Sequence, residues 1–285
     1  MEQLSWFVFS IAATIFFGIA MALYKIPSFK NQSRYVIAFW AMAISFILAL
    51  IFFNKFLYLA SPQMIGMAFL WGFSFSLLVM LQMYALKNVN THTLFPTTSI
   101  LSLIITILIG FLFFKEIIST LQFLGIILVI FLVYFYLHKK GKLQYSKQIL
   151  LSGLGIIFFS VANKVIHKVV TNNYNIHAYQ ILQYFGAMIF SFLIVLYVYK
   201  KDFKKHFSKK SFLSGSLIGL LMFLGGYTFL IALTRGPFIL ITAIHSLYIF
   251  VTAIVGALLF KEKLDKKIIL LLILSIVALI IIKLG

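Results

Sequence analysis

The 285 residues contain no cysteine, only five acidic side chains and only four prolines. Without cysteine there is no disulfide, no thiolate nucleophile and no cysteine-ligated metal, and the redox state of the surrounding compartment leaves no mark on the chain. The five acids, Glu2, Glu116, Asp202, Glu262 and Asp265, all fall between apolar stretches or at their ends. No carboxylate therefore sits inside an apolar run, where it could exchange a proton or make a cation welcome in low dielectric. Nor is there a glycine-rich phosphate loop, a His-Glu pair at metal spacing, or a Ser/His/Asp set whose acid could reach the other two. Neither an enzyme activity nor a cofactor or metal is expected.

What is present is overwhelmingly apolar: 63% of the residues are hydrophobic, 10% are charged, and the mean hydropathy is +1.11. A helix needs about 20 mostly apolar residues to cross a hydrocarbon core about 30 Å thick. Ten stretches qualify, at 4–26, 35–53, 64–86, 93–114, 117–137, 149–170, 176–199, 212–234, 238–260 and 267–284. The expected fold class is thus an all-α integral membrane protein with ten transmembrane helices. The first stretch is too long for a signal-peptide core and lacks a basic leader, so it is read as a mature helix. The formal net charge of +19 does not point to nucleic acid, because the lysines occupy the short breaks between apolar runs rather than a soluble face with interleaved aromatics. Assigned to alternate sides of the bilayer, 18 of the 24 lysines and arginines share the side of the loops after stretches one, three, five, seven and nine. The positive-inside rule makes that side cytoplasmic and puts both termini outside.

An internal repeat organises the chain. Residues 84–116 return as 231–262: Ser99 matches His245, Thr106 matches Thr252, Gly110 matches Gly256, and Phe114-Lys115-Glu116 matches Phe260-Lys261-Glu262, all at an offset of 146. Gly72 and Ala85-Leu86 match Gly219 and Ala232-Leu233 at 147, a one-residue slip in the connector. The polar segment 138–148 divides the chain into halves 1–143 and 144–285, each with five stretches. An odd number of crossings sends the second half into the membrane from the opposite side, which makes the repeat an inverted one and favours a site near the midplane.

Polar residues inside the stretches are the candidates for that site. Lys164 lies within the sixth stretch, and Ser160, Asn163 and His167 share its face at i, i+3, i+4 and i+7 spacing. Facing a cavity, Lys164 would hold a carboxylate or phosphate; the alternative is snorkelling to the interface. His245 lies in the ninth stretch with Thr242, Ser246 and Thr252, and its repeat partner Ser99 in the fourth with Thr98, Ser102 and Thr106. Two such polar stripes could line one cavity, His245 being the one plausible proton acceptor there; alternatively their hydroxyls bond their own helices. Trp71, Ser74 and Gln82 mark the third stretch, and Gln180, Gln183 and Tyr184 the seventh, suited either to hydrogen bonding a metabolite or to bonding neighbouring helices. The candidate substrate-binding residues are Trp71, Gln82, Ser99, Asn163, Lys164, Gln183, Tyr184 and His245. Glu116 and Glu262 are expected to pair with loop lysines. Gly215 and Gly219, four apart, are expected to form a close-packing notch.

The Tyr84-Ala85-Leu86-Lys87 run, the Gly110 to Glu116 and Gly256 to Glu262 segments, and Phe17-Gly18 followed by Lys25 together resemble the EamA-like family of the drug/metabolite transporter superfamily. The likeness spans essentially the whole chain. It departs in having Phe17 where the family has tryptophan, and in lacking a proline midway along stretches four and nine, Pro96 lying near the start of the fourth. The resemblance implies a multi-pass cell-membrane protein that moves small organic metabolites by alternating access through a cavity between its halves. With no buried acid, a neutral, zwitterionic or anionic substrate is expected rather than an organic cation. The expected partners are this small molecule and the lipid bilayer, without nucleic acid, in a monomer or homodimer. Some relatives move lipid-linked sugars, so a flippase is an alternative, with Lys164 meeting the phosphate. A non-transporting lipid-binding or assembly protein is the rival from another class, and it would need no polar cavity. The family usually keeps both termini cytoplasmic; the lysine count, followed here, says the opposite.

Overall fold

The computed structural model describes residues 2–27, 32–85, 91–137, 147–260 and 266–285. Among these residues the chain is helical, with no strand. In order the helices are α1 (Glu2–Leu23), α2 (Arg34–Phe53), α3 (Pro62–Ala85), α4 (Thr91–Leu112), α5 (Thr120–Leu137), α6 (Lys147–Asn173), α7 (Ile176–Tyr199), α8 (Lys209–Arg235), α9 (Phe238–Ser246), α10 (Tyr248–Phe260) and α11 (Lys266–Leu284). Side-chain caps set several of the starts: Ser33 Oγ accepts from the Val36 amide, Asn175 Oδ1 from His177 and Ala178, and Ser208 Oγ from Ser211.

Seven segments, at Ser5–Leu23, Arg34–Leu59, Pro62–Ala85, Leu151–Asn173, Ile176–His206, Lys209–Arg235 and Phe238–Phe260, are long and apolar enough to cross a bilayer. Three shorter apolar helices, Thr98–Leu112, Thr120–Phe135 and Ile269–Leu284, accompany them. Outward faces carry side chains such as Leu108, Leu112, Phe158, Leu213 and Leu258, each more than half exposed. In water so much apolar surface would drive aggregation; against acyl chains it is at home. The protein is a multi-pass membrane protein.

One expected helix is broken. The 238–260 stretch, read from its sequence as a single rod, stops at Ser246 and restarts at Tyr248, with Leu247 in a turn between them. The amide of Leu247 bonds the carbonyl of Ile244 at 3.1 Å, and that of Phe250 bonds Leu247 at 3.0 Å, a locally tighter winding. No proline causes this break. Sequence periodicity is blind to it because both pieces are equally apolar.

Helix pairing crosses between the halves. α1 packs on α8 and α3 on α6; α2 contacts α7 and α8, α7 contacts α3, and α5 lies against α11. Buried residues fall into two cores. One joins α2 and α3 to α7 and α8 through Trp71, Tyr179 and Met222. The other joins α4 and α5 to α9, α10 and α11 through Leu103, Ile241 and Phe250. Glycines allow the closest crossings: a Cβ on Gly72 would lie 2.5 Å from the backbone nitrogen of Ala187, and one on Gly219 2.5 Å from the carbonyl of Ala41. Gly215 meets the Trp40 side chain and the Ile37 carbonyl in the same groove, so the Gly215/Gly219 notch does seat α2.

Among the described residues Glu116 pairs not with a loop lysine, as its place in the sequence suggests, but with a helical one. The chain leaves α4, turns through Lys115 at φ 50°, and returns the Glu116 amide to the Gly110 carbonyl at 3.1 Å. This aims the carboxylate at the start of α9, where Oε1 accepts from the Phe238 amide at 2.6 Å and Oε2 from Ile239 at 2.9 Å. Pro237, the residue before α9, has no side-chain oxygen with which to cap it. A carboxylate supplied from another part of the chain does so, and it also meets Lys168 Nζ of α6 at 3.3 Å. Its repeat partner Glu262, and the dividing segment at 138–146, lie outside the described residues.

Candidate functional site

Between the two cores lies a cavity of about 130 Å³. Its wall is drawn from α1, α3, α4, α6, α8, α9 and α10, and so from both halves of the chain. Six of the eight candidate residues line it: Trp71, Gln82, Ser99, Asn163, Lys164 and His245. The remaining two stand one layer behind. Gln183 Oε1 meets His167 Nε2 at 2.9 Å, and the Tyr184 hydroxyl donates to the Met222 carbonyl at 2.6 Å. Both bonds tie α7 to a neighbouring helix, which is the packing use that intramembrane amides and phenols commonly serve.

Lys164 points inward rather than snorkelling. Its Nζ donates to Ser102 Oγ at 3.1 Å, and Ser102 in turn bonds Ser160 Oγ at 3.1 Å. Beside it Asn163 is buried, with neither its amide nitrogen nor its amide oxygen hydrogen-bonded. Trp71 Nε1 and His245 Nδ1 are likewise buried without a hydrogen-bond partner. Each such group costs about 1–3 kcal/mol to leave unpaired, so a cluster of them at one cavity wall is not packing. Among the described residues no carboxylate lines this cavity.

The rest of the wall is aromatic. Trp71 stacks between Phe75, centroids 4.8 Å apart at 12°, and His167, at 5.1 Å and 22°. The His245 ring lies 5.0 Å from both Phe17 and Phe229 and 5.6 Å from Tyr248, and Phe229 also meets His167 at 5.9 Å. Apart from apolar residues such as Phe75 and Phe229, sequence reasoning missed Tyr248 on this wall: its hydroxyl meets Ser99 Oγ at 3.2 Å, joining α4 to α10 just past the break. A tyrosine two positions beyond Ser246 of the His245-Ser246 pair was the available signal. Of the two hydroxyl stripes only Ser99 and Ser246 reach the wall. Thr242 and Thr106 bond carbonyls of their own helices, and Thr252 also bonds the Gly18 carbonyl at 2.9 Å.

A cavity with a few polar groups on its wall, lying between two cores of a multi-pass helical bundle, is an arrangement that membrane transporters use. Residues 147–284 match the model of the EamA-like transporter family. A solved crystal structure of another protein superposes with a TM-score of 0.74, covering 96% of this chain and 96% of that one at 11% identity. At that identity the likeness is one of fold. No curated protein matches the chain by sequence.

Proposed function

We propose that the protein carries small organic metabolites across the cell membrane by alternating access to this cavity. It does so as ten crossings in two inverted five-helix halves, residues 1–143 and 144–285. Trp71, Gln82, Ser99, Asn163, Lys164 and His245 contact the substrate, while Gln183 and Tyr184 hold the wall in place. The observation that carries this reading is the set of unpartnered buried polar atoms on Trp71, Asn163 and His245 around one cavity. A protein that only bound lipid or a partner would have no use for them. Ten apolar segments, seven long and three short, support the crossing count. The pairing of α1 with α8, answered by α3 with α6, supports the inverted relation, since exchanging the halves turns one pair into the other. A helix interrupted at a cavity wall is also how many transporters build a midplane site.

Purified protein in proteoliposomes, loaded with a metabolite mixture and assayed by mass spectrometry for what escapes, tests the reading. Efflux above protein-free vesicles is expected, and it should be lost when the cavity is blocked by a bulky substitution such as Ser246→Trp. A protein that binds ligands yet moves none would instead be a binding or assembly protein. The lysine distribution supports an orientation with both termini outside the cytoplasm; a C-terminal reporter active only in the cytoplasm should stay silent, and a signal from it would reverse the orientation.

A further inference from the structure

We infer that the cavity takes an organic monoanion: a carboxylate on a flat, single-ring apolar body that bears no ammonium group. This rests on the transport reading of the same cavity. Charge comes first. Among the described residues Lys164 is the one lysine or arginine on the wall, and no carboxylate faces it. A single cation balances a single negative charge. A phosphate monoester, carrying nearly two at neutral pH, would leave about one uncompensated in low dielectric, and an amino acid would bring an ammonium group with no acid to receive it.

Hydrogen bonding narrows the choice. A lysine ammonium has three donors, and Ser102 Oγ takes one at 3.1 Å, which leaves two for a carboxylate. Asn163, the next residue, has both ends of its amide free of hydrogen bonds. Its NH₂ can serve the second carboxylate oxygen and its carbonyl a hydroxyl or N–H on the ring. The Trp71 indole N–H is a further donor without a partner. Shape sets the body. The Trp71 stack with Phe75 and His167 runs on through Phe229 to His245 and Phe17, so flat rings make up much of the wall. At about 130 Å³ the cavity is close to the ~150 Å³ that holds one benzene ring in an engineered protein core.

A charge series on one ring tests this: phenylacetate, phenylalanine, phenethylamine and phenyl phosphate, each titrated against the melting temperature of the purified protein. Phenylacetate should raise it most, in a saturable way, because a ligand bound only by the folded state stabilises it. Lys164→Met should weaken the apparent affinity for phenylacetate about tenfold or more, the loss of one charge-assisted hydrogen bond, with Lys164→Arg keeping part of it. Should Lys164→Met fail to fold, Lys164→Arg and Asn163→Leu carry the comparison, and Asn163→Leu should also weaken binding. Equal stabilisation by phenylalanine or phenethylamine, a stronger effect of phenyl phosphate, no effect of phenylacetate, or an effect untouched by these substitutions would each overturn the inference. Flux separates it from the transport reading. Lys164-dependent binding of phenylacetate without flux of any solute keeps the site and removes the transporter. Efflux of a cation or zwitterion without phenylacetate binding keeps the transporter and removes the monoanion.

Discussion

Glu116 and Lys164 sit in the same apolar bundle, and their surroundings are opposite. Around Glu116 the charges are answered: two amides of α9 and the Lys168 ammonium surround a carboxylate whose side chain is 12% exposed. Around Lys164 the ammonium has one serine hydroxyl and, among the described residues, no carboxylate, next to an asparagine whose side-chain amide makes no hydrogen bond. A fully satisfied polar cluster fixes helices to one another, whereas a half-satisfied one is a poor fastener and a good receptor. The difference separates structure from function more sharply than burial does, since both side chains are only part-buried.

The largest effect expected from this contrast is at the satisfied cluster. Glu116→Ala strands Lys168 and two α9 amides, and breaking a buried pair in this way costs about 3–5 kcal/mol. Folded yield and melting temperature should fall steeply, and the double variant Glu116→Gln/Lys168→Met should recover part of the loss. If Glu116→Ala folds normally but abolishes flux, Glu116 belongs with the substrate machinery and the contrast fails. Next in size is a packing reference. Gly219→Val drives a side chain into the Ala41 carbonyl, for a loss of about 1–3 kcal/mol, while Gly66→Ala, with nothing within 4 Å of the new Cβ, should be neutral or slightly stabilising. Urea or thermal denaturation of the pair calibrates what pure sterics do in this bundle.

Lys164→Met, by comparison, strands no counter-charge. The unliganded protein should melt at the same temperature or higher, in the direction opposite to Glu116→Ala. A clear drop would mean that an unseen acid answers Lys164. Tyr184→Phe should have the smallest effect, about 0.6 and at most about 1.7 kcal/mol for one intramembrane hydrogen bond to the Met222 carbonyl, with ligand response unchanged. A change in ligand affinity from Tyr184→Phe would bring that residue to the wall.

The helical class and the membrane were legible because they depend on composition and run length alone, which a sequence states outright. Lys164 and His245 were legible because a polar group in an apolar run is expensive and so conspicuous. Gln183 and Tyr184 were equally conspicuous, but facing is decided by helix rotation within a few tens of degrees, which spacing along one helix does not carry. The role of Glu116 was out of reach for another reason. Its partners Phe238, Ile239 and Lys168 are dozens of residues away, and two of them contribute only backbone, so no side-chain pattern announces the contact. The interruption at Leu247 has no proline or glycine to mark it.

Because each core draws helices from both ends of the chain, assembly has an order in time. Residues 1–143 emerge from the ribosome before their contacts exist: the Ser45 hydroxyl has yet to meet the Gly219 carbonyl at 2.9 Å, and Ser76 the Ala187 carbonyl at 3.3 Å. Among themselves the first five helices pack chiefly as α4 on α5, so most of their contacts must wait in the bilayer until the later helices arrive. Neither core can close during synthesis of the first half. In this respect the molecule behaves as a dimer whose two subunits happen to share one message, and half-chains made separately should find each other in the membrane.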